Sequence, residues 1–291
     1  MLRIALPNKG RLADDTRELF ADAGLEIRAR GDRALTASLG DAFEAIFVRA
    51  QDISEFVADG AADVGVTGWD LVSESDRALT CLADLEFGRC RLAVAAKEET
   101  GIAAVGDIAP GARVATSFPR LTERFFCEHD LPVEVVPVSG AAEIAPHLGI
   151  ADVVVDLVST GSTLRMNGLR EVATVLESTA RLIGPSDLSI NRGRVAQQER
   201  DLAELVGALQ SVLRARGQRY IMANVPRDRL DAIKAIVPGI TGPTVIDLLN
   251  GGLHVAVHAV APAAGIYRTV AALKALGAEG ILVTRIERLM P

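Results

Sequence analysis

Three features of the sequence predict an α/β protein with two lobes and an appended module. Short apolar runs alternate with segments of helical period as far as residue 216. From residue 218 the order becomes β-α-β-β-α-β, a ferredoxin-like module of about 70 residues. Between these, composition breaks at 86–90 (EFGRC) and at 177–194, with turns such as GPSD, bracket a middle piece. That piece reads as an insertion into the first domain, which is how a two-lobed cleft protein is wired.

The apolar runs LRIAL at the start, AIFV at 45–48, DVGVT at 63–67, LAVAA at 92–96, RVAT at 113–116, EVVPV at 134–138 and DVVVD at 152–156 predict buried strands in largely parallel sheets. Helices are predicted near 10–23, 51–58, 69–75, 119–128, 141–148 and 198–216. The last carries Leu202, Leu205, Val206, Leu209 and Leu213 on one face. In the C-terminal module the strands are QRYIMANV, PTVIDLL, LHVAVHAV and AEGILVTRI, and the helices PRDRLDAIKAIV and AGIYRTVAALKALG. Pro226 suits a first helical turn, and Gly277 suits a C-terminal stop.

Hydrophobic residues make up 49% and aromatics 4%, so the core must be packed with Ala, Val, Leu and Ile. A formal charge of −7 argues against general nucleic-acid binding, which needs a clustered basic surface. Most basic residues are Arg, a bias that genomic composition explains as readily as phosphate recognition. Cys81, Cys90 and Cys127 form no CxxC spacing and suggest neither a disulfide framework nor a zinc site. The N-terminal MLRIALPNKGR has no extended apolar h-region, and no apolar stretch reaches membrane-spanning length uninterrupted. A cytoplasmic location without membrane attachment is expected.

The stretch VVVDLVSTGSTLRMNG, residues 153–168, carries the most chemistry. An apolar strand ends at Asp156, and a Ser/Thr/Gly loop opens into a helix expected to begin near Thr163 or Leu164. The loop offers main-chain N–H groups from Thr160, Gly161, Ser162 and Thr163, hydroxyls from Ser159, Thr160, Ser162 and Thr163, and a helix N-terminus, all suited to one anion such as a 5-phosphate. Asp156 is placed to accept hydrogen bonds from vicinal ribose hydroxyls. The plainer alternative is a loop whose serines only cap a helix.

The acid-then-TGST order resembles the phosphoribosyl-pyrophosphate loop of many phosphoribosyltransferases, although Leu157 stands where many of them carry a second acid. Together with LPNKGRL at 6–12, VRAQDISEFVADGAADVGVTGWD at 48–70, EFGRCRLAVA at 86–95, RVATSFPRL at 113–121 and DLVSTGSTLRMNGL at 156–169, the chain resembles, end to end, the long form of the ATP phosphoribosyltransferase family. The resemblance implies a two-lobed catalytic unit like that of periplasmic binding proteins and an ACT-like regulatory domain. Lobe I would hold residues 1–88 and 178–216, lobe II 89–177 with the loop, and the regulatory domain 217–291. It further implies ATP and phosphoribosyl pyrophosphate as substrates, Mg2+ as cofactor, transfer to N1 of adenine, inhibition by histidine, and a homo-oligomer, dimer or hexamer.

Displacement at an anomeric carbon asks a protein to position anions and neutralise a leaving group, and no nucleophilic side chain is needed. Fittingly, no Ser-His-Asp or Cys-His signature occurs, and His129, His147, His254 and His258 read as structural or surface residues. On the resemblance, Lys9 and Arg11 clamp phosphates from lobe I, the alternative being a solvated turn. Arg49 faces pyrophosphate or nucleotide, the alternative being a surface ion pair. Gly68 permits close backbone approach and Asp70 accepts from adenine or ribose, or else Asp70 caps the helix at 71–75. Trp69 is expected to pack rather than stack. Arg89 and Arg91 are structural or phosphate-binding, and Gly140, Ala141 and Glu143 line the opposite side of the cleft. Ile240 and Thr244, in ITGPT, match a loop near bound histidine in the family, and no metal ligand is named. Two other classes fit the same pattern: a solute-binding receptor, and a non-catalytic amino-acid sensor.

Overall fold

The computed structural model describes residues 1–29, 34–186, 196–249 and 252–290. The chain starts with β1 (Leu2–Pro7), α1 (Arg11–Asp22), β2 (Arg28–Ala29), β3 (Thr36–Leu39), β4 (Phe43–Val48), α2 (Ile53–Ala58), β5 (Val64–Gly68), α3 (Trp69–Ser75) and β6 (Leu79–Asp84). It crosses to β7 (Cys90–Lys97), β8 (Arg113–Thr116), α4 (Pro119–Glu128), β9 (Glu134–Pro137), β10 (Val153–Val158), α5 (Ser162–Met166) and β11 (Leu169–Ser178). It then returns through β12 (Ala180–Pro185), and α6 (Ala196–Ala215) follows.

These strands form a seven-stranded sheet, β2-β3-β4-β1-β5-β12-β6, and a five-stranded sheet, β11-β7-β10-β8-β9. All five residues of β5 are buried, as in a strand covered on both faces. Gly65 is what lets α2 approach there: a Cβ would lie 2.5 Å from the Ile53 Cγ2. In the second sheet Leu92, Val94, Val153 and Val155 face α4 and its Phe125 and Phe126. Their alternates Ala93, Ala95 and Val154 face Leu164 and Leu169. Burial on both sides explains why these strands read as unbroken apolar runs.

The expectation of largely parallel sheets is corrected, because both sheets are mixed. Among the described residues, only β4-β1-β5 and β10-β8-β9 pair in parallel. Strands adjoining the crossings return in the opposite sense: β12 is antiparallel to β5 and β6, and β7 to β10 and β11. The strands β6, β11 and β12 carry no clean two-residue period, and β3 alternates over only the four residues Thr36–Leu39. In β11 two register shifts, between Glu171 and Ala173 and between Thr174 and Leu176, break the alternation. The expected polar break at 177–194 is strand as far as Pro185, and its residues 187–194 lie outside the described ones. The helix expected at 141–148 is a single 3-10 turn, Ala142–Ile144. Ala141 is left-handed at φ 51°, and Pro146 lacks the N–H that would carry a helical ladder onward, although Ala145 before it keeps right-handed helical geometry at φ −57°.

The chain divides into two compact units, Met1–Val206 and Gly207–Pro291. The second holds β13 (Gln218–Pro226), α7 (Leu230–Ile236), β14 (Thr244–Asp247), β15 (His254–Pro262), α8 (Ile266–Ala275) and β16 (Glu279–Arg285). Its sheet order, β14-β15-β13-β16 with every pair antiparallel, is that of the ferredoxin-like fold. Ile221, Ala223, Val225, Val255 and Val257 pack with Ile233 and Leu273 of the two helices. Gly277, at φ 84°, ends α8 as expected. Pro226 instead closes β13, and a 3-10 turn separates it from α7.

Candidate active site

The turn after β10 gathers the expected residues. Asp156 is half-buried and its Oδ1 accepts the Leu157 N–H at 2.7 Å. Burial pushes its carboxyl up, the Leu157 hydrogen bond opposes this, and the Glu143 charge adds to the rise. Ser159, Thr160, Ser162 and Thr163 are exposed, and the Thr160 and Ser162 hydroxyls lie 3.0 Å apart. Gly161 stands at φ 74°, a left-handed geometry that glycine adopts without strain, and it precedes α5 directly. The helix thus begins at Ser162, slightly earlier than expected. Arg165 folds back so that its Nη2 donates to the Thr160 carbonyl at 3.3 Å, bringing a guanidinium to the turn.

Beside this turn is a cavity of about 330 Å³ where the two crossings meet, lined by Asp84, Arg89, Arg91, Ser159, Thr179 and Arg181 among others. The crossings hydrogen-bond to each other: Leu85 N–H to the Ala180 carbonyl and Ala180 N–H to the Phe87 carbonyl, both at 2.9 Å. Arg91 grips Glu171 through Nε and Nη2, each at 2.6 Å, and its Nη1 donates to the Ser159 carbonyl at 3.4 Å. This pairing holds the Glu171 carboxyl below its usual range. The Arg181 guanidinium stacks 4.1 Å above the Trp69 ring, and its Nε is buried without a partner. Trp69 packs against the core of the first sheet and also seats a cation at the cavity wall.

In the first sheet the candidates follow the C-terminal ends of three adjacent parallel strands, where open α/β sheets collect ligands. Lys9 is exposed after β1, Arg49 is exposed after β4, and Gly68 ends β5. Arg11 opens α1 and pairs loosely with Asp15 at 3.7 Å. Asp70 is different: it is 4% exposed and its Oδ1 accepts from the Ser178 hydroxyl at 2.5 Å. That hydroxyl in turn accepts the Asp70 N–H at 3.0 Å. The alternative reading of Asp70 as a helix cap is corrected, since Gly68 occupies the cap position and no side chain caps α3. A Cβ at Gly68 would lie 2.3 Å from the Asp70 Oδ1, so glycine is required by this buried carboxylate. Burial raises the Asp70 carboxyl, and burial together with Asp70 raises the Cys90 thiol to about 11. Ser178 was not anticipated, and an isolated serine 108 residues away gives no signal.

In the second unit Ile240 is 56% exposed, in a tight turn where a Cβ on Gly239 would meet the Gly242 carbonyl at 2.8 Å. Thr244 opens β14 opposite His258, whose Nδ1 lies 2.5 Å from the Tyr220 hydroxyl.

The family model HisG, described as ATP phosphoribosyltransferase, matches residues 49–211. The chain belongs to the ATP phosphoribosyltransferase family. The model of the HisG C-terminal domain matches residues 215–288, the mark of the long form. The ATP phosphoribosyltransferase of Gemmatimonas aurantiaca is 67% identical, with 100% of both chains covered. That of Haloarcula marismortui is 49% identical over 99% of this chain and 100% of its own. Among solved structures, the ATP phosphoribosyl transferase (HisG:HisZ) complex from Thermotoga maritima aligns with a TM-score of 0.59 at 25% identity, covering 71% of this chain and 98% of that chain. As an ATP phosphoribosyltransferase the protein is a pentosyltransferase of histidine biosynthesis. Among the described residues, no helix is long and apolar enough to cross a membrane, and no three His, Cys, Asp or Glu side chains cluster as metal ligands.

Proposed function

We propose that the chain joins N1 of ATP to C1 of phosphoribosyl pyrophosphate, the C1–oxygen bond breaking as pyrophosphate leaves. The carrying observation is the turn from Asp156 to Thr163, with exposed hydroxyls beside a cavity walled by Arg89, Arg91 and Arg181. In this reading the turn's amides and hydroxyls take the 5-phosphate, and Asp156 takes the ribose hydroxyls. Lys9, Arg11 and Arg49 neutralise pyrophosphate from the first sheet, where charge develops as the bond to C1 lengthens. The β5–α3 turn at Gly68 offers its backbone to the nucleotide. Asp70 acts there by fixing the turn rather than by touching adenine, because its carboxylate is already occupied by Ser178.

Mg2+ is held in such sites by one or two carboxylates plus substrate phosphates rather than by an all-protein cage. Asp156, a half-buried carboxylate at the end of β10, fits that donor set and would hold it together with the substrate phosphates. When bound, Mg2+ supplies positive charge to the departing pyrophosphate.

Residues 1–88 with 178–216, and 89–177, are the two catalytic lobes in this proposal, and 217–291 regulates them. Ile240 and Thr244 belong to a histidine-binding loop, through which histidine inhibits a cytoplasmic homo-oligomer, dimer or hexamer. The test is an assay of the purified full chain with ATP, phosphoribosyl pyrophosphate and Mg2+, following pyrophosphate release with and without histidine. Turnover that histidine suppresses is expected. Absence of pyrophosphate release would defeat the catalytic reading, and turnover indifferent to histidine would defeat the regulatory one.

A further inference from the structure

Helix α4 begins without a cap of its own. Phe118 stands at its N-cap position and makes no side-chain hydrogen bond there, and Pro119 follows. The next N–H groups, Arg120 and Leu121, are among those every helix start leaves without an internal acceptor. Their acceptor comes from the other lobe: the Glu74 carboxylate takes the Arg120 N–H on Oε1 and the Leu121 N–H on Oε2, each at 3.0 Å. The reverse contact closes the loop. Arg120 Nη1 donates to the Glu74 carbonyl at 3.3 Å and to the Ser75 carbonyl at 2.8 Å, at the C-terminal end of α3. Each charge sits at the helix end whose dipole favours it, carboxylate at an N-terminus and guanidinium at a C-terminus.

The same helix is tied to both lobes along its length. Leu71 packs on the core of the second sheet, while Val72 and Trp69 pack on the core of the first. At its start, Trp69 N–H donates to the Thr179 carbonyl at 3.0 Å, and Asp70 is held by Ser178. Helix α3 is thereby gripped at one end by the return crossing and at the other by α4. Neither Glu74 nor Arg120 lines the cavity at the crossings, and each is committed to the other's helix at the end of α3 away from the β5–α3 turn, so the pair acts on the reaction through placement.

We propose that Glu74 and Arg120 are positioning residues: a reciprocal-capping latch between the lobes that sets how the β5–α3 turn stands relative to the Asp156–Thr163 turn. The proposal rests on the reading that substrates are held across these two turns. Misplacing reacting groups by about 1 Å can cost a hundredfold in rate, so a latch remote from the chemistry has leverage.

The test uses the full chain carrying Glu74→Ala, Glu74→Gln, Arg120→Ala, or Glu74→Ala with Arg120→Ala, assayed well below each variant's Tm. Glu74→Ala is expected to lower kcat by about tenfold or more, an order suggested by the sensitivity of rate to placement. Glu74→Gln, which keeps one acceptor oxygen, should recover part of that loss. The double variant should be no slower than the worse single, because either change already opens the latch. A Glu74→Ala enzyme with a lower Tm but wild-type kcat and KM values would reduce the pair to a structural cap and overturn the proposal. Hydrogen exchange on the free protein supplies a readout independent of turnover. Faster exchange in Glu74→Ala at both 119–122 and 68–71 is expected, whereas a change confined to 119–122 would count against a lobe-to-lobe role. An inactive wild type would defeat the catalytic reading and leave the exchange result to decide the latch.

Discussion

The turns after β5 and after β10 are built from the same parts: an apolar strand, a glycine, an acid and a helix, which starts at once after β5 and after residues 159–161 in the case of β10. They do opposite things. After β10 the hydroxyls of Ser159, Thr160, Ser162 and Thr163 are exposed, and Asp156 accepts from the adjacent Leu157 N–H. After β5 the Asp70 carboxylate is turned inward, committed to Ser178, and sealed by a glycine with no room for a Cβ. The difference lies in what arrives from elsewhere in the chain. β12 pairs with β5 right up to Gly68, bringing Ser178 and Thr179 against the start of α3, whereas β7 pairs with β10 up to Val158 and brings the Arg91 guanidinium to the Ser159 carbonyl beside a cavity. One local pattern thus leaves exposed hydroxyls where, among the described residues, the arriving segment brings them no partner, and makes a structural clamp where it brings Ser178.

That contrast can be broken most sharply at the open turn. Asp156→Ala or Thr163→Ala should weaken phosphoribosyl pyrophosphate binding by about ten- to a hundredfold, the value of one hydrogen bond to a charged group. Isothermal titration measures it, and a pair of variants binding normally would show that the turn is not the phosphate site. At the closed turn the loss should fall on stability. Ser178→Ala leaves a buried carboxylate without its donor and should cost about 1–3 kcal/mol, read as a lower Tm by calorimetry. If Ser178→Ala instead spared Tm and abolished substrate binding, the assignment of clamp and recognition surface would have to be exchanged.

The smallest effect sharpens the same comparison through pH. Asp70 has a higher pKa folded than unfolded, mainly through burial, so between the two values the folded chain binds more protons. Stability from this group is therefore lost as pH rises from the ordinary carboxylate value of 3.8 through the raised folded value, and it stays lost above. Asp70→Asn retains an acceptor for Ser178 and should flatten that part of the stability curve in denaturant titrations at successive pH values. An unchanged slope would mean that Asp70 does not titrate as a buried acid.

Much of the molecule was legible without coordinates wherever the governing interactions are short in sequence. The strands of β4-β1-β5 and β10-β8, the βαββαβ order, the stop at Gly277 and the turn from Asp156 to Thr163 all rest on periodicity or turn chemistry within a dozen residues. The mixed strand directions, the bulged β11 and the failure of helix 141–148 were not, because each depends on partners or a proline-bounded turn that a local pattern does not weigh.

Residue types and their spacing alone determined the α/β class, the ferredoxin-like module and the polar turn after Asp156, since near neighbours write those features into the chain. Tertiary structure alone decided that Asp70 is a clamp, that Arg181 sits on Trp69, and that Glu74 caps a helix 46 residues away. In each case the worth of a charge is set by what surrounds it: buried beside a donor it holds structure, and exposed beside a cavity it can hold a substrate.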